Sequence, residues 1–391
     1  MTDILKPDNV AQILGLIKWA VAEKSPLQVC GHDTKSGLGA PSACEHILDL
    51  SDLSGIELYQ PSELVMTAKA GTPVAEVQAA LDEAGQMMAF EPWQPGALYG
   101  TEGGTVGGLF ASAVCGPRRP LAGSARDHLL GFEAISGRGE VFKSGGRVVK
   151  NVTGFDLSKL MAGSMGTLSV MTQVTFKVLP KPEKTRTVLV FDPTDAQRAM
   201  LDAQNSPYEV SGVAHLPTDI AAKSAVSYIK DKGAGIVAVR VEGPAPSVEV
   251  RCQSLRDVLG AYGEVEELHT HNSATLWREV RDVEFFKGDA DLWRLSVPPA
   301  EGVKIASQLG GTYFLDWAGG LIWLQASGED AQRIRAAMAS GHATLMRGSK
   351  DMRRSMPVFQ SQSDGLAALM NRVRAGFDPH TILNPGRMGG G

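Results

Sequence analysis

Three glycine-rich clusters, Gly31 to Gly39, Gly96 to Gly123 and Gly154 to Gly166, constrain this chain more than any other feature. Glycine permits positive φ and close approach of backbone to ligand, and successive free N–H groups in such loops form anion-binding concavities. The first cluster follows a strand-like run, Leu27-Gln-Val-Cys30, and reads Gly31-His-Asp-Thr-Lys-Ser-Gly37. The second reads Pro95-Gly-Ala-Leu-Tyr-Gly-Thr-Glu-Gly-Gly-Thr-Val-Gly-Gly108. The third runs Lys150-Asn-Val-Thr-Gly-Phe-Asp-Leu-Ser-Lys-Leu-Met-Ala-Gly-Ser-Met-Gly-Thr-Leu168. A dinucleotide pyrophosphate is the natural occupant of such loops. Two common phosphate motifs are excluded: Thr34 stands where a Walker loop needs Gly before Lys35-Ser36, and no Gly-x-Gly-x-x-Gly follows a strand and opens a helix.

The segments between the clusters are short and mixed. Val10, Ile13, Leu14, Ile17 and Val21 fall on one helical face behind Pro7, Asp8 and Asn9, which predicts an N-terminal amphipathic helix. Apolar runs at Leu27–Cys30, Ile47–Leu50, Ile56–Tyr59 and Leu64–Ala70 read as strands. Thr72 is expected to cap a helix that starts at Pro73 and stops before Gly85. Val174, Phe176 and Val178 alternate with Thr175 and Lys177 as in a half-buried strand, broken by Pro180. This is α+β rather than regular βαβ alternation. The reading gives three segments: a ligand domain over 1–180, a second α+β domain over 181–375, and a tail over 376–391 that returns to the first. Trp277, Phe285, Phe286 and Trp293 are candidates for an exposed docking patch, because aromatics are enriched at interfaces, with a core role as the alternative.

Several function classes fall away. A net charge of -5 and 6% aromatic residues give no basic, aromatic-studded surface for nucleic acid. The acidic and basic residues among the first 25 exclude a signal core, and no apolar run reaches membrane-spanning length, so a cytoplasmic chain that meets a membrane only through partners is expected. Cys30, Cys44, Cys115 and Cys252 form no C-x-x-C pair, and His269 and His271 lack an evident third ligand, so no metal or iron–sulfur site is expected.

In this order, the three glycine-rich segments resemble the PCMH-type FAD domain of the vanillyl-alcohol-oxidase superfamily. Within it, Leu292-Trp-Arg-Leu-Ser296, Asp316-Trp-Ala-Gly-Gly320, Gly341-His-Ala-Thr344 and Leu383-Asn-Pro-Gly-Arg387 extend the resemblance over nearly the whole chain, to the flavin subunits of bacterial glycolate oxidases. The resemblance implies a PCMH-type domain of two α+β subdomains, a second α+β cap domain, and FAD as cofactor. It implies that Gly31, His32, Asp33, Thr34, Lys35, Ser36 and Gly37, entered from Cys30, wrap the pyrophosphate. Thr105, Val106, Gly107 and Gly108 would line the flavin and ribityl side. Gly154, Gly163, Ser164, Gly166 and Thr167 would serve the adenosine end and pyrophosphate, Val170 would reach the adenine, and Asn384 and Gly386 would sit near the flavin ring. His32 and Asp33 depart from the glycines common in the family. Members that bond flavin covalently carry histidine where this chain has Thr34, which implies non-covalent FAD.

The implied reaction is oxidation of glycolate, a small 2-hydroxy acid, to glyoxylate, with a D-type FAD subunit and an F-type iron–sulfur subunit as partners. Such chemistry asks for a cation at the carboxylate and a proton acceptor. The chain lacks the His-Gly-Asp-Gly-Asn-x-His segment of the D-type relatives, and His342, Arg294 and Arg347 are the candidate substitutes. Three readings stay open: a redox-active flavin subunit, an FAD-bound but catalytically silent assembly subunit, or a stand-alone flavin oxidase of another hydroxy acid or alditol.

Overall fold

The computed structural model describes residues 3–147 and 155–389. Their folding starts where the sequence predicts. Asn9 is extended and its Oδ1 accepts the Gln12 N–H at 3.0 Å, which caps the helix Val10–Glu23. Ile13, Ile17 and Ala20 point inward from this helix and are fully buried. They pack on a parallel sheet of β1 (Asp3–Leu5), β2 (Leu27–Cys30) and β3 (His46–Asp49), in the order β1-β3-β2. The C-terminal tail extends this sheet: Leu27 N–H donates to Ile382 O at 2.7 Å and Asn384 N–H to Leu27 O at 3.0 Å. Ile382 and Leu383 thereby join the core of Ile13, Leu27 and Leu48.

A second sheet is antiparallel, with β4 (Ile56–Gln60), β5 (Val65–Lys69), β7 (Leu129–Ser136), β8 (Val141–Gly145) and β9 (Ser169–Lys177) in the order β4-β5-β9-β7-β8. Between them in sequence, β6 (Gln86–Met87) pairs with β10 (Leu179–Pro180). The central strand β9 is covered on both faces, not one: Val174 and Phe176 are fully buried, and Thr175 meets Thr67 through their hydroxyls at 2.9 Å. Thr72 does not cap the next helix. Its hydroxyl donates to Lys69 O at 2.7 Å and accepts from Gly55 N at 3.0 Å, so Pro73 occupies the cap position of Val74–Glu83. Gly85 follows the helix with φ 64°.

The second unit carries an eight-stranded antiparallel sheet. Its strands are β11 (Lys184–Phe191), β12 (Gly212–Leu216), β13 (Ile236–Gly243), β14 (Glu264–Leu268), β15 (Leu292–Ser296), β16 (Thr312–Asp316), β17 (Leu321–Gln325) and β18 (His342–Arg347). Their order is β14-β11-β13-β12-β16-β17-β15-β18. Val188, Val190, Val213, Val237 and Val239 bury one face against the helices Ala196–Gln204 and Ala245–Leu259. The helix Thr270–Asp282 packs against β11 through Trp277, whose indole N–H donates to Thr187 Oγ1 at 2.8 Å. The proposed docking patch is therefore core: Trp277, Phe285, Phe286 and Trp293 are all buried. Phe286 stacks on Phe314 at 5.7 Å, with Phe285 edge-on to the same ring, since large rings stabilise most when taken out of water.

One unit boundary falls between Pro180 and Lys181, where the sequence placed a break, and the later one falls between Met352 and Arg353, ahead of 375. The first unit is Met1–Val114, Gly123–Pro180 and Arg353–Gly391; the second is Cys115–Ala122 and Lys181–Met352. Cys115–Ala122 joins the second unit through buried polar anchors. Arg118 grips Glu242 in bidentate fashion, one arm at 2.8 Å, and the Trp317 indole N–H donates to Gly116 O at 3.1 Å. The segment from Arg353 joins the first because Arg353 donates to Ser36 O at 3.1 Å and to Gly39 O at 3.0 Å. Nothing in the local sequence pattern marks either anchor. Among the described residues, no helix is long and apolar enough to cross a membrane.

Candidate functional site

In the first unit, β2 ends at Cys30 and the chain enters the loop Gly31–Gly37. Ser36 N–H donates to Asp33 O and Leu38 N–H to Lys35 O, so the loop turns tightly, with Asp33 at φ 49°. Its carbonyls are held from outside. Thr101 Oγ1 donates to Thr34 O at 3.0 Å, Arg387 to Lys35 O at 2.7 Å, and Arg353 to Ser36 O and Gly39 O. The backbone N–H groups of Gly31 to Lys35 donate to no acceptor among the described residues. A row of free donors in a half-buried loop is a built receptor for an anion.

The opposite wall is the turn before the helix Val106–Ser112. Val106 N–H donates to Thr72 O and Gly107 N–H to Ala70 O, and Thr105 Oγ1 accepts from Gly108 N. A Cβ at Gly107 would lie 2.8 Å from the Ala70 Cβ and 2.9 Å from its carbonyl oxygen. A Cβ at Gly31 would run into the Thr105 side chain. Only glycine lets these two walls come this close. Between them lie two adjoining cavities, which share Val29, Cys30, Gly31, Thr105, Gly108, Met165 and Asn384 and so form one groove.

The groove's charges are unbalanced in the way an anionic ligand would correct. Among the described residues Lys35 forms no ion pair, and burial alone pushes its ammonium down to about 8. Burial raises the Asp33 carboxyl, and Arg387 beside it works in the other direction. Arg387 is itself held below its ordinary value by burial. Burial, followed by Asp33, pushes the Cys30 thiol up to about 12, so it stays protonated and unreactive.

Most expected ligand residues line this groove: Cys30, Gly31, His32, Asp33, Thr34, Lys35, Thr105, Gly107, Gly108, Gly166, Val170 and Asn384. Others do not. Val106 is fully buried core, while Ser36 and Gly37 form the outer side of the loop, Gly37 against Tyr99. Gly163 donates to Phe110 O, and Thr167 Oγ1 donates to Ser164 O at 2.8 Å, so Gly163, Ser164 and Thr167 shape the wall from behind. Gly386 borders a separate depression with Glu23 and Pro41. Gly154 lies outside the described residues. Asn384 also ties the wall together: its Oδ1 accepts from Val29 N at 2.8 Å and its Nδ2 donates to Met165 O at 2.9 Å. Its amide is a clip between β2 and the third glycine segment.

Arg353 and Arg387 were not among the candidates, and no spacing rule links residues over 300 positions apart. Met165, Ala111 and Met171, which add apolar lining, also carry no motif.

The second unit brings two of the three candidate catalytic residues together. Arg294 pairs across β15 and β18 with Thr344, and Ser296 pairs with His342, so Arg294 and His342 share one sheet face. Gly341, at φ 114°, lets β18 start against Ser296 O, where a Cβ would collide. Arg347 is not available. Its Nε donates to Ala290 O and its Nη1 to Phe286 O, both at 2.7 Å, which ties down the loop that follows Phe286.

A model of the FAD binding domain matches residues 3–145. Over 385 residues the chain is 34% identical to "Glycolate oxidase subunit GlcE" of Escherichia coli (strain K12), covering 97% of each. It is 23% identical to "Glycolate oxidase subunit GlcD" of Bacillus subtilis (strain 168), covering 98% of this chain and 88% of that one. Among solved structures, p-cresol methylhydroxylase with substrate bound matches with a TM-score of 0.71 over 99% of this chain and 88% of its own, at 18% identity, a likeness of fold.

Proposed function

Because this chain belongs to the FAD-dependent oxidoreductase family of the glycolate oxidase subunit GlcE, we propose that it is the FAD-binding subunit of a complex that oxidises glycolate to glyoxylate. A D-type FAD subunit and an F-type iron–sulfur subunit are its partners, and the latter takes the electrons. Contact with a membrane comes only through them. FAD is the cofactor, and when bound it supplies a two-electron acceptor.

The observation that carries this reading is the row of N–H groups from Gly31 to Lys35, unpaired among the described residues, beside an ammonium that has no counter-ion among them. These groups would hold the diphosphate. Gly107 and Gly108 would admit the flavin side by close main-chain approach, with Gly166 and Val170 lining the adjoining cavity. Attachment is non-covalent, because Thr34 offers a hydroxyl where a histidyl link needs an imidazole.

The charge of Lys35 gives a measurable consequence. In the ligand-free protein it loses its proton near 8, and a bound diphosphate raises that value. FAD affinity is thus full below about pH 8 and declines above it as the free protein loses the ammonium. Lys35→Met is expected to weaken FAD binding about tenfold at pH 7, roughly the 1.4 kcal/mol of one charge-assisted hydrogen bond, and to flatten this pH dependence. Quenching of flavin fluorescence on reconstitution of the apoprotein reads both; an unchanged pH profile in the variant would contradict the assignment.

The functional reading is tested by rebuilding the three-subunit complex with a chain that cannot hold FAD. Glycolate-dependent reduction of an electron acceptor is expected to collapse. A complex that keeps its full rate would reduce this chain to a silent assembly subunit.

A further inference from the structure

Arg294 in the second unit carries a buried Nε without a hydrogen-bond partner, and among the described residues neither it nor Arg119 forms an ion pair. Both guanidinium groups lie against the indole of Trp317, Arg119 at 4.3 Å and Arg294 at 5.0 Å from the ring centre. Trp317 is fixed with unusual care. It and Ala318 take φ of 53° and 56° in succession, its N–H donates to Asp316 Oδ1 at 2.7 Å, and its indole N–H donates to Gly116 O. Successive left-handed non-glycine residues are strained, and such strain concentrates at functional sites. The turn presents a buried aromatic plate on which two cations converge.

His342 stands within the field of both. Burial, then Arg294, then Arg119 hold its imidazole below its ordinary value, so it is neutral at neutral pH and one ring nitrogen is free to accept a hydrogen bond. Burial pushes Arg294 down to about 10, and Arg119 adds to this while Asp316 partly opposes it. Asp316 is the carboxylate of this neighbourhood, but it is engaged with the Trp317 backbone. Two guanidinium groups and an imidazole therefore share one neighbourhood with net positive charge. Arg119 and His342 are exposed, which leaves a way in.

From this geometry we infer that Arg119, Arg294 and Trp317 form a clamp for the carboxylate of a small 2-hydroxy acid, with His342 accepting its hydroxyl. The carboxylate matches the planar donor forks and neutralises the cluster. The substrate class rests on the functional reading above; the clamp itself rests on the four side chains.

Calorimetric titration of the purified full-length flavoprotein with glycolate, acetate and inorganic phosphate tests this. Glycolate is expected to give a saturable isotherm, to bind more tightly than acetate, and to outcompete phosphate. Arg119→Gln and Arg294→Gln should each weaken glycolate at least tenfold. His342→Ala should erase the preference for glycolate over acetate while leaving acetate unchanged. Arg119 is exposed on a short helix, so its variant decides the matter even if the Arg294 variant misfolds. An isotherm unaltered by Arg119→Gln, no saturable binding by the parent protein, or a preference for phosphate would overturn the clamp. Releasable FAD measured on the same samples separates the two readings, since its loss would count against the flavin site and not against the clamp.

Discussion

A Gly31→Val chain is expected to fold and to purify without flavin. A Cβ at this position would meet Thr105, with its Cγ2 only 2.6 Å away. Thr105 cannot turn aside cheaply, because its Oγ1 accepts the Gly108 N–H that starts the next helix. The valine methyls would also project into the groove at the point where β2 hands over to the free N–H groups of the loop. Loss of diphosphate contact and of wall-to-wall spacing together should lower FAD affinity more than a hundredfold, roughly 3 kcal/mol or above. Circular dichroism should match that of the parent apoprotein. A yellow variant with one FAD per chain would show that the groove is not where FAD sits.

Replacing Arg118 with alanine should be the most damaging change outside the groove. Arg118 and Glu242 are a buried pair, with side-chain exposures of 9% and 10%, and Arg240 stands 3.5 Å from the same carboxylate. Removing Arg118 strips the buried carboxylate of its bidentate partner and leaves it with Arg240 alone, which costs about 3 kcal/mol, the low end for breaking a buried pair. For a unit of this size that corresponds to roughly 10 °C in melting temperature. The pH dependence follows from Glu242. Burial alone would raise its carboxyl, but Arg240 and then Arg118 outweigh burial and hold it at about 2. A carboxylate held this low stabilises the fold fully above its unfolded value and loses that contribution as pH falls from about 4.5 toward 2. In Arg118→Ala the folded value moves toward the unfolded one, so the acid-induced loss should be smaller and should end at higher pH. Thermal melts between pH 2 and 7 measure both effects. Pairing Arg118→Met with Glu242→Gln should recover most of the stability, and failure to recover it would point to packing rather than charge.

The parts of the molecule legible from sequence were those specified locally. The helix Val10–Glu23 announced itself through Asn9 and its apolar stripe, and the loop after Cys30 through glycines that only a close approach explains. The α+β character also agrees with the reading, and Leu383 bridges to Leu27 in the first unit. What stayed hidden depends on contacts remote in sequence. Arg353 and Arg387 hold the loop carbonyls from more than 300 positions away, and no pattern around either residue signals that task. Cys115–Ala122 leaves the first unit because a buried arginine finds Glu242, a pairing visible only once β13 is in place. Trp277, Phe285, Phe286 and Trp293 suggested an interface by residue type, yet the same apolar area stabilises the fold more when buried. Arg347 looked like a carboxylate ligand by its charge, but its donors serve two backbone carbonyls. Side-chain type sets what a residue can do, and the tertiary partners decide which of those options remains.

The most direct test of the central claim, that this chain holds FAD without a covalent bond in the groove between β2 and the Val106–Ser112 helix, is acid precipitation of the purified protein followed by chromatography of the supernatant. One equivalent of FAD in the supernatant over a colourless pellet is the expected result. A protein that purifies colourless, or a yellow pellet that keeps its flavin, would contradict it.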